Sequence, residues 1–565
     1  MKRIVSRKYP EDARKTLEQE GIDPVLARVY AARGIRSSGE MERSLDRLVP
    51  FGKLKNAGRM AEILADAVQE GKRLLIVADY DSDGATACAV GMSALDAMGA
   101  CVDYIVPNRF EYGYGLTPEI VRLASEKKPD FIVTVDNGIA SVEGVNEAKS
   151  MGIEVLVTDH HLPGDRLPDA LCIVNPNQPG CEFPSKHLAG VGVMFYVMMA
   201  LRAELRNRGH FDGKEPNLAA LLDLVALGTV ADVVKLDANN RILVSQGLQR
   251  MRNGKARAGI DALFSVAKRD PSRASSYDLG FMLGPRLNAA GRLEDMSIGI
   301  ECLLSRDAGR AFEFADRLDG LNRERKSIES QMQQEANATL ESVDFEGKYS
   351  ISLFDPNWHQ GIIGILASRI KDRHHRPSVA FARGNEGEIK GSGRSIPGFH
   401  LRDALDLVSK KHPGLILKFG GHAQAAGLTV REEEFSRFRE AFEEAASALL
   451  SESDLEKIIE TDGVLEASHM TLDLAKRMEQ EVWGQGFPEP QFEGIFSVVN
   501  QRMVGEKHLK LKLGFGSRTF DAMLFFHADP LPDSVRAVYG LAVNEYNGSS
   551  TLQLLIRHWE ESQDS

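Results

Sequence analysis

Three short apolar runs in this chain each end on acidic or histidine-bearing turns, and this repetition constrains the fold more than any other feature. Leu74-Leu-Ile-Val-Ala78 runs into Asp79-Tyr80-Asp81-Ser82-Asp83-Gly84. Phe131-Ile-Val-Thr-Val135 runs into Asp136-Asn137-Gly138, and Glu154-Val-Leu-Val-Thr158 into Asp159-His160-His161. A fourth run, Val102–Val106, and helical stretches at Ala85–Met98 and Val142–Met151 lie between them. Apolar runs of about five residues alternating with amphipathic helices specify a parallel sheet covered on both faces. In such a sheet ligands bind outside the carboxyl ends of the strands. The three turns therefore bring at least four carboxylates and two imidazoles into one crevice.

Like charges packed so closely repel unless a cation sits among them. The string from Asp79 to Gly84 begins like a calcium EF-hand loop. That reading needs a bidentate Glu at the twelfth position, occupied here by Val90, and a helix upstream, where this chain has a strand. It is rejected. A fourth acidic element, Asp223-Leu-Val-Ala-Leu-Gly-Thr-Val-Ala-Asp232, follows the first α/β units. Carboxylates suit Mg2+ and Mn2+, and added imidazole shifts the preference toward Mn2+. So many carboxylates point to two ions. Two ions ~4 Å apart lower the pKa of a bridging water and clamp the attacking and leaving oxygens of a phosphoryl centre. In an extended segment the side chains of His160 and His161 diverge, so one is expected to bind metal and the other to contact substrate or leaving group.

Composition removes other classes. With 565 residues the prior is three or four domains. The formal net charge of −12, from 69 Lys plus Arg against 81 Asp plus Glu, argues against coating duplex DNA through global positive charge. The N-terminal charges have no apolar run behind them, so no secretory signal is expected. The longest uncharged apolar stretch, Leu188–Leu201, falls short of the roughly 20 residues of a membrane helix. Five scattered cysteines without a C-x-x-C pair read as reduced thiols in a cytosolic protein.

Further along, Phe314, Leu318, Leu321, Ile328 and Met332 recur at helical spacing, which predicts a long connecting helix over about Asp307–Val343 with Gly320 as its weak point. A glycine-rich α/β unit follows. The final stretch has strand-like segments at Phe492–Val499, Val504–Leu513, Thr519–Phe526, Arg536–Val543 and Leu552–His558, which predict a small barrel. The expected organisation is an N-terminal helical segment (1–44), a catalytic domain (45–265), a connecting segment with the long helix (266–344), an accessory domain (345–450) and a barrel domain (457–565).

The order Asp-x-Asp-x-Asp-Gly, Asp-Asn-Gly, Asp-His-His resembles the signature of the DHH phosphoesterases. The likeness extends to their bacterial branch of single-stranded-DNA-specific 5′→3′ exonucleases. Gly284-Pro-Arg-Leu-Asn-Ala-Ala-Gly-Arg292, Trp358-His-Gln-Gly-Ile-Ile-Gly364, Gly391-Ser-Gly-Arg-Ser395 and Gly420-Gly-His-Ala-Gln-Ala-Ala-Gly427 support it. The implied fold class is α/β: a parallel-sheet DHH domain joined by a long helix to a smaller α/β accessory domain of the DHHA1 type, with a C-terminal OB-type β-barrel. Asp81, Asp83, Asp136, His160 and Asp232 match the metal-binding positions, with Asp79 supporting the cluster or sharing a ligand. His161 would face the scissile phosphate, and Asp159 would orient a histidine. His161, Asp81, Asp136 and Asp159 are thus the expected catalytic group. Asp223 is the poorer ligand of its segment, because Asp232 follows the family's Gly-Thr-x-Ala pattern.

Strand recognition needs backbone N–H groups and arginines for phosphate, and aromatics plus a basic track for bases. By analogy Arg109, Arg286, Ser392 and Arg394 contact phosphates, including the 5′ end, and His359 and His422 lie near substrate. Tyr112 and Tyr114, beside Arg109, have two readings, stacking on bases or packing in the core. His508, Lys510 and Lys512 alternate with Leu509, Leu511 and Leu513, so Lys510 and Lys512 share a barrel face that would guide the strand.

The resemblance implies two-metal hydrolysis of single-stranded DNA with release of 5′-mononucleotides, and roles in recombinational repair and mismatch repair. The cofactors would be two divalent ions, Mn2+ or Mg2+. The partners would be single-stranded DNA with a 5′ end, a single-stranded-DNA-binding protein and a RecQ-type helicase. A monomer is expected, with a cytoplasmic, nucleoid-associated location and no membrane. Two rival readings are a DHH enzyme acting on very short RNA or cyclic dinucleotides, and a non-catalytic strand-binding scaffold. The barrel argues against the first and the complete ligand set against the second.

Overall fold

The computed structural model describes residues 2–108, 112, 115–341, 343, 345–385, 387–546 and 548–562. The chain divides into two compact units, Ser6–Asp319 with Glu460–Ser565, and Met1–Val5 with Gly320–Ile459.

In the first unit five parallel strands form a sheet in the order Cys101–Ile105, Arg73–Ala78, Phe131–Val135, Glu154–Thr158, Cys172–Val174. The four apolar runs of the sequence are the first four of these, each within one residue of its expected bounds. Leu75, Val77, Ile132, Val155 and Val157 pack against Ile120, Val121 and Val145 on one face. Ile76, Val133 and Leu156, which point the other way, are buried as well. Burial on both faces is why the runs are continuous rather than alternating. From Arg73–Ala78 the chain goes to one side for Cys101–Ile105, then returns to the other side for Phe131–Val135. This reversal opens a crevice at the carboxyl ends of the central strands.

The apolar stretch Leu188–Leu201 lies mostly in the helix Gly190–Asn207, whose residues from Gly190 to Met198 are all buried. Among the described residues no helix is long and apolar enough to cross a membrane.

The same unit holds a closed barrel, in the order Phe492–Val504, His508–Phe515, Arg518–Phe525, Ser549–Glu561, Ser534–Tyr546. The strands Phe492–Val504, Ser534–Tyr546 and Ser549–Glu561 run longer than the apolar pattern predicts. Val504, expected to open the second strand, ends the first instead, and the second begins at His508; the added residues Asn500, Arg502 and Met503 are exposed and leave no alternation to read. The N-terminal helices pack beside the entry to the barrel, where the Trp483 ring stacks on Phe487 (5.2 Å between centroids) and Tyr30 (6.1 Å). Beneath them the buried Arg33 guanidinium donates to both oxygens of buried Asp462, at 2.7 and 3.0 Å.

The second unit contains a mixed sheet in the order Lys418–Gly421, Ala425–Arg431, Glu388–Arg394, Ser378–Arg383, Ile351–Phe354, with only the last pair parallel. Phe381, Ile389, Leu401, Leu428, Phe438 and Phe442 fill its core. The long helix spans Ala308–Glu341 without a break at Gly320, where solvent, not packing, surrounds the missing side chain.

Candidate metal centre

The crevice at the strand ends is built around buried carboxylates held by main-chain N–H groups. Asp81 is the N-cap of the helix Ser82–Ala97, and its Oδ1 accepts from the Asp83 and Gly84 amides at 2.9 and 3.0 Å. Asp83 points into the protein. Its two oxygens accept from Gly190 N (2.6 Å) and Val191 N (2.9 Å), the first amides of a second helix. Asp136 takes φ +63° directly after its strand, a left-handed turn that aims its carboxylate into the crevice. Asp232 closes the helix Leu222–Ala231 from the other side.

His160 Nε2 lies 3.0 Å from Asp136 Oδ1, 3.5 Å from Asp232 Oδ2 and 3.8 Å from Asp83 Oδ2. His161 Nδ1 lies 2.8 Å from Asp159 Oδ1. The two imidazoles do not diverge as an extended segment would have them; their centroids are 4.5 Å apart. The reason is local. Asp159 Oδ1 also accepts from the main-chain amides of His160 (2.7 Å) and His161 (3.0 Å), bending the chain as it leaves the sheet.

The donors form three sets whose ligand atoms all lie within 4.8 Å of one another: Asp79–Asp81–Asp136, Asp83–His160–Asp232 and Asp136–His160–His161. The first two share no residue, which suits two neighbouring cations, and oxygen-rich sets with one imidazole suit Mg2+ or Mn2+. The electrostatics agree. Burial, then the Asp81 charge, pushes the Asp83 carboxyl up to about 7. Burial and the surrounding aspartates hold Asp136 and Asp232 well above the usual carboxylate range. Three enclosed acids resisting ionisation are a site that needs positive charge. Asp159 behaves oppositely: although burial opposes it, the His161 bond and the charges of both histidines together hold its carboxyl below the usual range, and against burial the Asp159 bond with the charges of Asp159, Asp79 and Asp81 raises His161 to about 9.

Asp223 faces away from this cluster and accepts from Leu224 N and Arg257 N, both at 2.9 Å.

The chain matches the DHH family, N-terminal domain, over residues 73–229, the DHHA1 domain over 346–448 and the RecJ OB domain over 461–558. It is 50% identical over 550 residues to the single-stranded-DNA-specific exonuclease RecJ of Escherichia coli, covering 95% of each chain. With the protein of the same name from Dickeya dadantii it is 51% identical, covering 96% of this chain and 98% of the other. The chain belongs to the RecJ family. The crystal structure of RecJ in complex with Mn2+ from Thermus thermophilus superposes with a TM-score of 0.83 at 30% identity, covering 99% of this chain and 79% of that one. A second structure, of the same protein in complex with Mg2+, gives 0.78 at 28% identity, covering 99% and 78%.

Away from the metal cluster, the residues expected to contact the strand are spread over both units. Arg109 and Tyr114 lie outside the described residues. Arg286 is mostly buried, with Nε and Nη2 each 2.9 Å from Asp319 Oδ1 and Nη1 on the Met282 carbonyl. In the second unit Arg394 Nη1 donates to Ser392 Oγ (3.1 Å) and to the Gly393 carbonyl (2.8 Å). Gly364, at the start of the helix Ile363–His374, makes that arrangement possible: a Cβ there would stand 2.8 Å from Arg394 Nη2 and 2.9 Å from Ser392 Oγ. His359 Nδ1 accepts from Gly361 N at 3.1 Å, and burial lowers its pKa. His422 sits in the tight turn between two strands, its amide on the Ala425 carbonyl at 2.8 Å. On the barrel Leu509, Leu511 and Leu513 are buried while Lys510 and Lys512 face outward, opposite Arg502 and Asn500.

Sequence reasoning missed Gly190, Val191 and Asn288. The last accepts from Ser82 N at 2.8 Å and braces the acidic loop. Gly190 stood inside a run read only for its length, and Asn288 inside a segment from which only Arg286 was singled out.

Proposed function

We propose that this chain is a metal-dependent exonuclease that digests single-stranded DNA from its 5′ end and releases 5′-mononucleotides. One observation carries the reading. Two separate ligand triads meet where His160 and Asp136 come within 3.0 Å, in a chain 50% identical to exonucleases specific for single-stranded DNA.

Asp79, Asp81, Asp83, Asp136, His160 and Asp232 would hold two divalent ions, Mn2+ or Mg2+. When bound, these supply Lewis-acid chemistry, acidifying water and neutralising phosphodiester charge. The protein residues do the positioning. Gly190 and Val191 amides fix both oxygens of Asp83, so its free lone pairs keep one direction. Asp159 holds the Nδ1 side of His161 and favours its protonated form, which leaves an Nε2–H to donate to a phosphate oxygen or the departing strand. Arg109, Arg286, Ser392 and Arg394 would take the strand's phosphates, with the 5′ phosphate at Ser392 and Arg394. His359 and His422 would border it, Tyr114 would stack on a base, and Lys510 and Lys512 would guide the incoming strand.

The family resemblance supports roles in recombinational and mismatch repair. It also supports work alongside a single-stranded-DNA-binding protein and a RecQ-type helicase, as a cytoplasmic monomer. Comparing long single strands with dinucleotides tests the substrate class. Cleavage of long strands, lost in Asp81→Ala and His160→Ala, is expected; cleavage of dinucleotides alone would contradict it.

A further inference from the structure

The segment between Ser276 and Gly284 connects two places that matter to a strand. At one end Ser276 Oγ donates to the Trp483 carbonyl, in the turn that leads to the barrel, at 2.6 Å. At the other, Gly280 and Gly284 lie against Val230 and Ala231, the residues just before Asp232; a Cβ on Gly284 would be 3.0 Å from the Ala231 methyl. Between them Asp278–Leu283 forms a π-helix, a form frequent at functional sites. It is firmly anchored: buried Asp278 accepts from Arg269 Nε at 2.6 Å and from Ser275 Oγ at 2.7 Å.

On this anchored segment two aromatic rings are left in solvent. Tyr277 and Phe281 stack on each other, with centroids 5.0 Å apart and planes 27° from parallel, yet are 52% and 68% exposed. Val233, next to Asp232, is 63% exposed and takes φ +62°, a conformation that β-branched residues rarely adopt. Exposed aromatics on a rigid support, beside a phosphate-cleaving centre, match the chemistry of nucleobase faces. Such stacking tolerates any sequence because every base has a π-face.

We propose that Tyr277 and Phe281 form a stacking shelf for a base of the substrate strand between the barrel entry and the metal centre, with Val233 as its apolar edge. This rests on the single-strand reading above. Its test compares kcat and KM on a normal single strand and on one whose interior bases are replaced by abasic sugars. Phe281→Ala and Tyr277→Ala are expected to lower kcat/KM on the normal strand about ten-fold, chiefly through KM. On the abasic strand the loss should shrink below about two-fold, and Phe281→Trp should restore activity on the normal strand. Equal activity of variants and wild type on the normal strand, or an equal loss on both strands, overturns the shelf. A second readout needs no turnover. Emission from Phe281→Trp, above the wild-type background, should be quenched by the normal strand and not by the abasic one. A wild type inert on all single strands would overturn the exonuclease reading, and quenching would then decide the shelf by itself.

Discussion

Gly190 stands so close to Asp136 that a Cβ at position 190 would lie 2.5 Å from Asp136 Oδ1, while the Gly190 amide donates to Asp83 Oδ2 at 2.6 Å. One glycine thus sets the positions of two carboxylates that arrive from different strands. Neither carboxylate can relax away, because both are buried.

Gly190→Ala should therefore disable the centre without unfolding the domain. Displacement of a reacting group by about 1 Å costs on the order of a hundred-fold in rate. Activity is expected to fall by at least about that factor, with weakened Mn2+ binding in a calorimetric titration and an unchanged circular dichroism spectrum. Normal Mn2+ affinity in this variant would contradict the packing argument.

Stability in chelator should fall as pH rises. Asp83 titrates near 7 in the folded chain, against an ordinary carboxylate value when unfolded. Between roughly pH 4 and pH 7 the unfolded chain has released a proton that the folded chain retains, so folding weakens with rising pH across that window. Asp136 and Asp232 act in the same sense. Melting in EDTA should be lower at pH 8 than at pH 5.5 by on the order of a few °C, and Mn2+ should restore most at pH 8. Asp81→Asn should flatten the slope. It removes the second cause of the Asp83 shift and keeps the single oxygen that caps the helix.

The sequence was informative wherever one residue type has one local job. The apolar runs mark strands because both faces are covered, and each acidic turn falls at a strand end. What it hid were contacts between distant segments. Gly190 meets Asp136, and Ser82 N meets Asn288 Oδ1, across separations that no local pattern encodes. The approach of the two imidazoles was hidden for another reason: a side-chain-to-backbone turn at Asp159 overrode the alternation expected of an extended segment. The strand Lys2–Ser6, paired with Lys457–Thr461, was likewise invisible, since its partner lies more than four hundred residues away.

Recognition of the 5′ phosphate should fail in two unrelated ways. Arg394→Ala removes the guanidinium, and Gly364→Ala pushes it aside through the 2.8 Å approach at Arg394 Nη2. A charged hydrogen bond is worth about 1.5–3 kcal/mol. Both variants should raise KM for 5′-phosphorylated strands by roughly ten-fold or more, with little change for 5′-hydroxyl strands. Steady-state kinetics on the two substrates checks this.

Asp462→Ala should be costly far from the chemistry. It leaves Arg33 buried with its charge uncompensated and strips an acceptor from Gln491 N, at 3.1 Å. Breaking one side of a buried pair costs about 3–5 kcal/mol. Denaturant unfolding should register a loss of that size. A loss below about 1 kcal/mol would place the pair among exposed, weakly contributing ones.

Product release from end-labelled single strands tests the central claim most directly. With Mn2+ or Mg2+ present, a 5′ label should appear at once as mononucleotide, while a 3′ label should remain on a progressively shortening strand, and EDTA should stop both. Early release of the 3′ label, internal cuts, or equal digestion in EDTA would contradict a metal-dependent 5′→3′ exonuclease.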